Sequence, residues 1–148
     1  MERDEFLKSF GLGLALVCTG TCFQACSKGD GNDEPEPGGN GNKPSVDLSK
    51  QLQAVGDQTK VSGVLFIRVA TGNQPTSFVA TESICPHQGG ALNWRQAEGK
   101  IQCASHACQY STAGAVLQQP QPAGSGTTRA LKIYPVTVSG NTLSATVA

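Results

Sequence analysis

The chain has 148 residues, 38% of them hydrophobic and 5% aromatic, with 18 glycines, six cysteines and two histidines. Eleven basic residues balance eleven acidic ones, so no net charge recruits nucleic acid, and the length allows one ordinary domain with a short extension. Few aromatics and many glycines favour short strands and turns over a helical bundle.

Residues 10–17, FGLGLALV, form an apolar run too short to span a bilayer comfortably. The run reads as the centre of an export signal over residues 1–25. Its leading segment MERDEFLK is unusual in holding three acids against two bases. RDEFLK resembles the twin-arginine export motif, with Asp4 where the second arginine would stand. FQAC resembles the end of a lipoprotein signal, with Ala25 before Cys26. That resemblance implies lipidation at Cys26 and an extracytoplasmic domain anchored at the membrane, on the periplasmic side or in the cell envelope. The alternative is an uncleaved N-terminal anchor, which leaves the domain on the same side.

Residues 26–44 follow as a Gly-, Pro- and Asn-rich stretch carrying Asp30, Asp33, Glu34 and Glu36 against two lysines. With nothing apolar to bury, it reads as a flexible acidic tether. The folded domain is expected over residues 45–148, where seven bases meet four acids.

Within that domain VDLSKQL (46–52) is either a strand or a short helix. VLFIRVA (64–70), a turn cluster TGNQP, and SFVATESI (77–84) make a hairpin, with Phe78, Ala80, Glu82 and Ile84 on one face. GKIQ (99–102) is a short strand. LKIYPVTV (131–138) and TLSATV (142–147) make a second hairpin, with Gly140 free to take positive φ. No segment keeps a helical period, so the domain is expected to be all-β and antiparallel.

Both histidines of the chain stand beside cysteines: Cys85-x-His87 and Cys103-x-x-His106. Each pair follows an isoleucine, Ile84 or Ile101, and each is expected in a loop. A disulfide framework, usual in exported domains, would leave one of Cys85, Cys103 and Cys108 unpaired and would not account for the histidines. Two Cys and two His also make a legitimate tetrahedral zinc set, although zinc sites more often space their cysteines two to four residues apart.

The pattern Cys85-x-His87, fifteen residues, Cys103-x-x-His106 resembles the motif of the Rieske family. The resemblance runs from about Ser45 to Val147 and takes in Gly89 and Gly90, Tyr110, the segment GAVLQQPQPA (114–123) and the closing hairpin. It implies an antiparallel β-sandwich with a small cluster-binding subdomain formed by two loops. It also implies a [2Fe–2S] cluster with one iron on Cys85 and Cys103 and the other on His87 and His106. Both histidines are then expected near the surface with their outer N–H toward solvent.

Replacing two thiolates by neutral imidazoles makes such a centre neutral when oxidised, so an electron enters more easily. The resemblance further implies tuning by hydrogen bonds: backbone N–H groups at Gly89 and Gly90, and the Tyr110 hydroxyl on the sulfur of Cys85. Two features depart from high-potential relatives. Gly90 and Ser105 stand where those carry a disulfide between the loops, and Cys108 stands where they carry a hydrogen-bonding serine. An oxygenase of this family needs a second iron on two more histidines and a carboxylate, and both histidines here are already used. The expected activity is one-electron transfer, as a carrier or as the small subunit of a larger oxidoreductase, with a redox protein as partner and no catalysis by the chain alone. A structural zinc-binding lipoprotein domain is the alternative.

Overall fold

The computed structural model describes residues 43–148. The export signal, Cys26 and most of the acidic tether lie outside the described residues. In chain order the strands are β1 (Ser45–Asp47), β2 (Gln58–Val61), β3 (Val64–Arg68), β4 (Phe78–Glu82), β5 (Leu92–Arg95), β6 (Lys100–Cys103), β7 (Gln109–Tyr110), β8 (Val116–Gln118), β9 (Val136–Ser139) and β10 (Thr142–Ala145). They form three antiparallel sheets, in the orders β1-β10-β9, β2-β3-β4 and β5-β6-β7-β8.

The middle sheet organises the rest. VLFIR in β3 is apolar at four consecutive positions, and a strand buried on both faces needs such a run rather than alternation. All five of its residues are buried. Leu65 and Ile67 enter one core, with Leu92, Trp94, Ile101 and Tyr110 of the four-stranded sheet. Val64 and Phe66 enter the other, with Val46, Phe78, Ala80 and Leu143. Arg68 closes the strand with its guanidinium over the Phe78 ring, 4.9 Å from the centroid. Its N–H groups donate to the carbonyls of Leu52 and Gly72 and to Asn73 Oδ1.

The fold class expected from the sequence holds, with differences at the ends of elements. VDLSKQL is strand β1 followed by a turn, in which the Gln51 N–H donates to the Asp47 carbonyl at 2.9 Å. The first hairpin forms, but the face expected to hold Phe78, Ala80, Glu82 and Ile84 is buried only at the first two. Glu82 is half-buried and paired to Arg129, and Ile84 is 51% exposed. The chain leaves the core there to begin a loop. In the closing hairpin only Val136–Ser139 and Thr142–Ala145 are strand, turning through Gly140 at φ +57°. Upstream of Pro135, which has no N–H for a ladder, Ile133 makes a single bridge to Thr81.

Strands β2, β5, β7 and β8 were not expected from the sequence. QTKV is mostly polar and lies at an edge, and it joins β3 through Ser62 and Gly63, both at positive φ (47° and 80°). This two-residue turn matches the twist of its strands. Trp94 on β5 is a packing residue whose indole N–H donates to Gln96 Oε1 at 2.7 Å.

Phe66→Ala should therefore cost about 3–5 kcal/mol by emptying the second core. Leu117→Ser, at a position 58% exposed on β8, should stay within about 0.5 kcal/mol. Urea unfolding of the two variants measures the difference.

Candidate metal centre

Three segments meet at one end of the four-stranded sheet. The first, residues 83–91, joins β4 to β5. It is closed by the Leu92 N–H on the Ser83 carbonyl (3.0 Å), the Cys85 N–H on the Gly90 carbonyl (2.7 Å) and the Gly89 N–H on the Cys85 carbonyl (3.0 Å). The second, residues 104–108, joins β6 to β7, with the Cys103 N–H on the Cys108 carbonyl (2.9 Å) and Ala107 at φ +53°. Cys103 is the last residue of β6, paired with Leu92, and so belongs to the sheet rather than to the loop in which it was expected. The Ala104 N–H donates to the Ala91 carbonyl (2.9 Å) and ties the two loops together.

Cys85 and Cys103 are both buried and unpaired, each 2% exposed. Burial alone would push the Cys85 thiol up. Hydrogen bonds from Tyr110, the His87 backbone and the thiols of Cys103 and Cys108 outweigh it and hold the thiol below its ordinary range. These donors stabilise the thiolate form of Cys85 relative to the thiol, and thiolate is the form in which a cysteine binds metal. Cys108 behaves in the opposite way. It is fully buried, and burial first, then the nearby Cys85 charge, push its thiol up to about 11.

The two imidazoles lie edge to face, with ring centroids 4.9 Å apart and planes at 82°. Both Nδ1 atoms are buried with no hydrogen-bond partner, which is costly for a polar atom unless something else occupies it. On His87 the opposite nitrogen settles the tautomer: Nε2–H donates to the Ser125 carbonyl at 2.6 Å. With the proton on Nε2, Nδ1 is left with a lone pair that could bind a metal. The His87 N–H, expected to face solvent, is therefore capped by protein.

Ser125 belongs to the third segment, residues 119–131, which the sequence reading did not place at the site beyond Ala123. Its Gln121 N–H donates to the His106 carbonyl at 2.8 Å. Arg129 holds Glu82 in a bidentate pair (2.7 and 2.9 Å). Thr128 Oγ1 lies 2.7 Å from the Tyr110 hydroxyl, which in turn lies 3.2 Å from Cys85 Sγ. The contact expected of Tyr110 is thus present, on a fully buried side chain. Burial, then the bond to Cys85, raise its hydroxyl well above the usual phenol range and keep it protonated.

The two glycines differ in kind. Gly89 sits at φ +79° in open space, with its N–H engaged by the Cys85 carbonyl. Gly90 permits a close approach: a Cβ there would lie 2.5 Å from Ser105 Oγ and 2.6 Å from Cys103 Sγ. Gly90 and Ser105, the positions of the absent disulfide, do face each other across the loops.

Among the described residues no three His, Cys, Asp or Glu side chains converge on one ion. The donors come as a thiol pair and an imidazole pair, a set that fits a two-iron cluster held by two residues at each iron. The structure is thus an all-β domain that brings a pair of cysteines and a pair of histidines to one end of a sheet. A family model for the Rieske [2Fe–2S] domain matches residues 43–135, and the chain belongs to that family. Its cofactor is accordingly a [2Fe–2S] cluster.

The chain is 26% identical over 76 residues to the cytochrome b6-f complex iron-sulfur subunit of Chlorobaculum thiosulfatiphilum, covering 51% of this chain and 39% of that protein. It is 40% identical over 40 residues to the cytochrome b6-f complex iron-sulfur subunit 2 of Cyanophora paradoxa, covering 27% of this chain and 17% of that protein. It therefore spans less than half the length of the curated relatives it matches. Among solved structures it is similar to the plasma membrane Rieske protein PetC3 of Synechocystis PCC 6803, with a TM-score of 0.52 and 26% identity over 70% of this chain and 98% of that one. The ferredoxin of carbazole 1,9a-dioxygenase from Nocardioides aromaticivorans IC177 shares the fold, with a TM-score of 0.50 and 18% identity over 70% of this chain and 94% of that one.

Gly90→Ala should lower the iron bound per chain, because the Cys103 sulfur and the Ser105 side chain must shift to admit the methyl group. Gly89→Ala should bind iron normally and lose about 1–2 kcal/mol of stability from its left-handed backbone. Iron analysis beside thermal unfolding separates the two outcomes.

Proposed function

We propose that the protein is a membrane-tethered, extracytoplasmic electron-transfer module in which Cys85, His87, Cys103 and His106 hold the cluster. The observation that carries the ligand assignment is the pair of buried, unpartnered Nδ1 atoms, with His87 locked as the Nε2–H tautomer by Ser125. When bound, the cluster supplies a site that accepts and releases one electron. The residues set the terms of that exchange. Two thiolates and two neutral imidazoles keep the oxidised site uncharged. Tyr110 and the His87 backbone N–H give hydrogen bonds to Cys85, which favour the state with one more negative charge. The apolar core around Leu92 and Ile101 keeps water from the sulfur side.

The tether rests on the sequence alone. Lipidation at Cys26 followed by the acidic segment 26–44 would leave the domain free to reach a redox partner protein, and similarity to a plasma membrane Rieske protein supports that location. Among the described residues no helix is long and apolar enough to cross a membrane. A second reading, the Rieske subunit of a larger quinol-oxidising complex, draws on the b6-f relatives. Gly90 and Ser105, which leave the loops unstapled, favour the first.

The purified protein should contain two irons and two sulfides per chain, and its reduced form should give an EPR signal with a low average g. Cys85→Ser and His106→Ala should each abolish it. Cys108→Ser should keep the signal and raise the midpoint potential, since a hydroxyl donates more strongly than a thiol. A colourless, zinc-loaded protein from cells that assemble clusters would contradict the reading.

A further inference from the structure

The third segment carries a residue whose proton bookkeeping has a consequence for the cluster. Tyr110 and Thr128 each have one hydroxyl proton, and their oxygens lie 2.7 Å apart. The Tyr110 hydroxyl also lies 3.2 Å from Cys85 Sγ. A metal-bound thiolate only accepts, so the Tyr110 proton points to sulfur. The short contact between the two oxygens then needs a donor, and Thr128 alone has a proton left to give. Its other acceptor, the Arg129 carbonyl, is at 3.4 Å, too long to compete with 2.7 Å.

We infer that Thr128 is a positioning residue for the redox site: it donates to Tyr110 and thereby fixes and strengthens the Tyr110 hydrogen bond to Cys85. Donation into a hydroxyl oxygen polarises its O–H, so the two bonds reinforce each other. The chain Thr128 to Tyr110 to Cys85 stabilises the reduced site more than the oxidised one. Thr128 is itself held from both sides. Its N–H donates to Gln119 Oε1 at 3.0 Å, and the next residue, Arg129, is clamped to Glu82. If Thr128 were rotated to accept from Tyr110, Cys85 would lose the Tyr110 hydroxyl as a donor.

This inference rests on the ligand assignment proposed above, and one set of redox titrations on the full-length, cluster-loaded protein tests both. Thr128→Val should keep the EPR signal and shift the reduction equilibrium at least threefold toward the oxidised form, by less than Tyr110→Phe does. Thr128→Ser should titrate like the unmodified protein. The Tyr110→Phe, Thr128→Val double variant should match Tyr110→Phe alone, because Thr128 acts only through Tyr110. Should Thr128→Val fail to load, Thr128→Ala replaces it in every arm. An unchanged potential in the variant lacking the hydroxyl, or an effect that adds in full to that of Tyr110→Phe, overturns the role of Thr128. Absence of the low-g signal from the unmodified protein instead overturns the cluster assignment.

Discussion

Two imidazole nitrogens buried without a partner are the constraint on which the site turns. Burying a polar atom costs a few kcal/mol unless something satisfies it, and the fold does this at both His87 and His106. The His87 Nε2–H donates to the Ser125 carbonyl, and no described residue partners its Nδ1. In the proposed ligand set a metal would do so, with the thiols of Cys85 and Cys103 as the remaining donors. Binding and folding at this end of the molecule are then coupled, since the ligands are organised at a cost that the metal offsets.

The rest of the fold serves that end. A strand apolar on both faces, β3, lets one sheet support two cores, so the cluster loops grow from a sheet packed on one side while the terminal strands close the other. The loops are joined at Ala91 and Ala104 and covered by residues 119–131. Glu82 links this cover to the frame: it leaves β4 half-buried and anchors Arg129 through both carboxylate oxygens. A residue that looked like one member of an alternating strand is a joint between scaffold and site.

The proposed ligands stood out in the sequence because they are chemically rare. With two histidines in the chain, both beside cysteines, spacing alone narrowed the chemistry, and Tyr110 followed from the resemblance. β3 and the two long hairpins were legible from runs of branched residues. β2, β5, β7 and β8 were not, being short, partly polar and held in place by tertiary pairing rather than by their own pattern. Ser125 and Thr128 were invisible for another reason. One acts through its carbonyl, which any residue possesses, and the other through a hydroxyl whose partner is 18 residues away. Cys108 shows the converse. The resemblance placed it outside the ligand set, in the slot of a hydrogen-bonding serine, and the structure buries it completely beside Cys85 with its thiol pushed up.

The central claim is that one iron has sulfur ligands from the protein and the other nitrogen ligands. Mössbauer spectroscopy of the oxidised protein loaded with iron-57 tests it most directly, since each iron reports its own surroundings. The account predicts two quadrupole doublets of equal area, one for an all-sulfur iron and one for an iron with mixed sulfur and nitrogen ligands. A single doublet from two equivalent irons would contradict it.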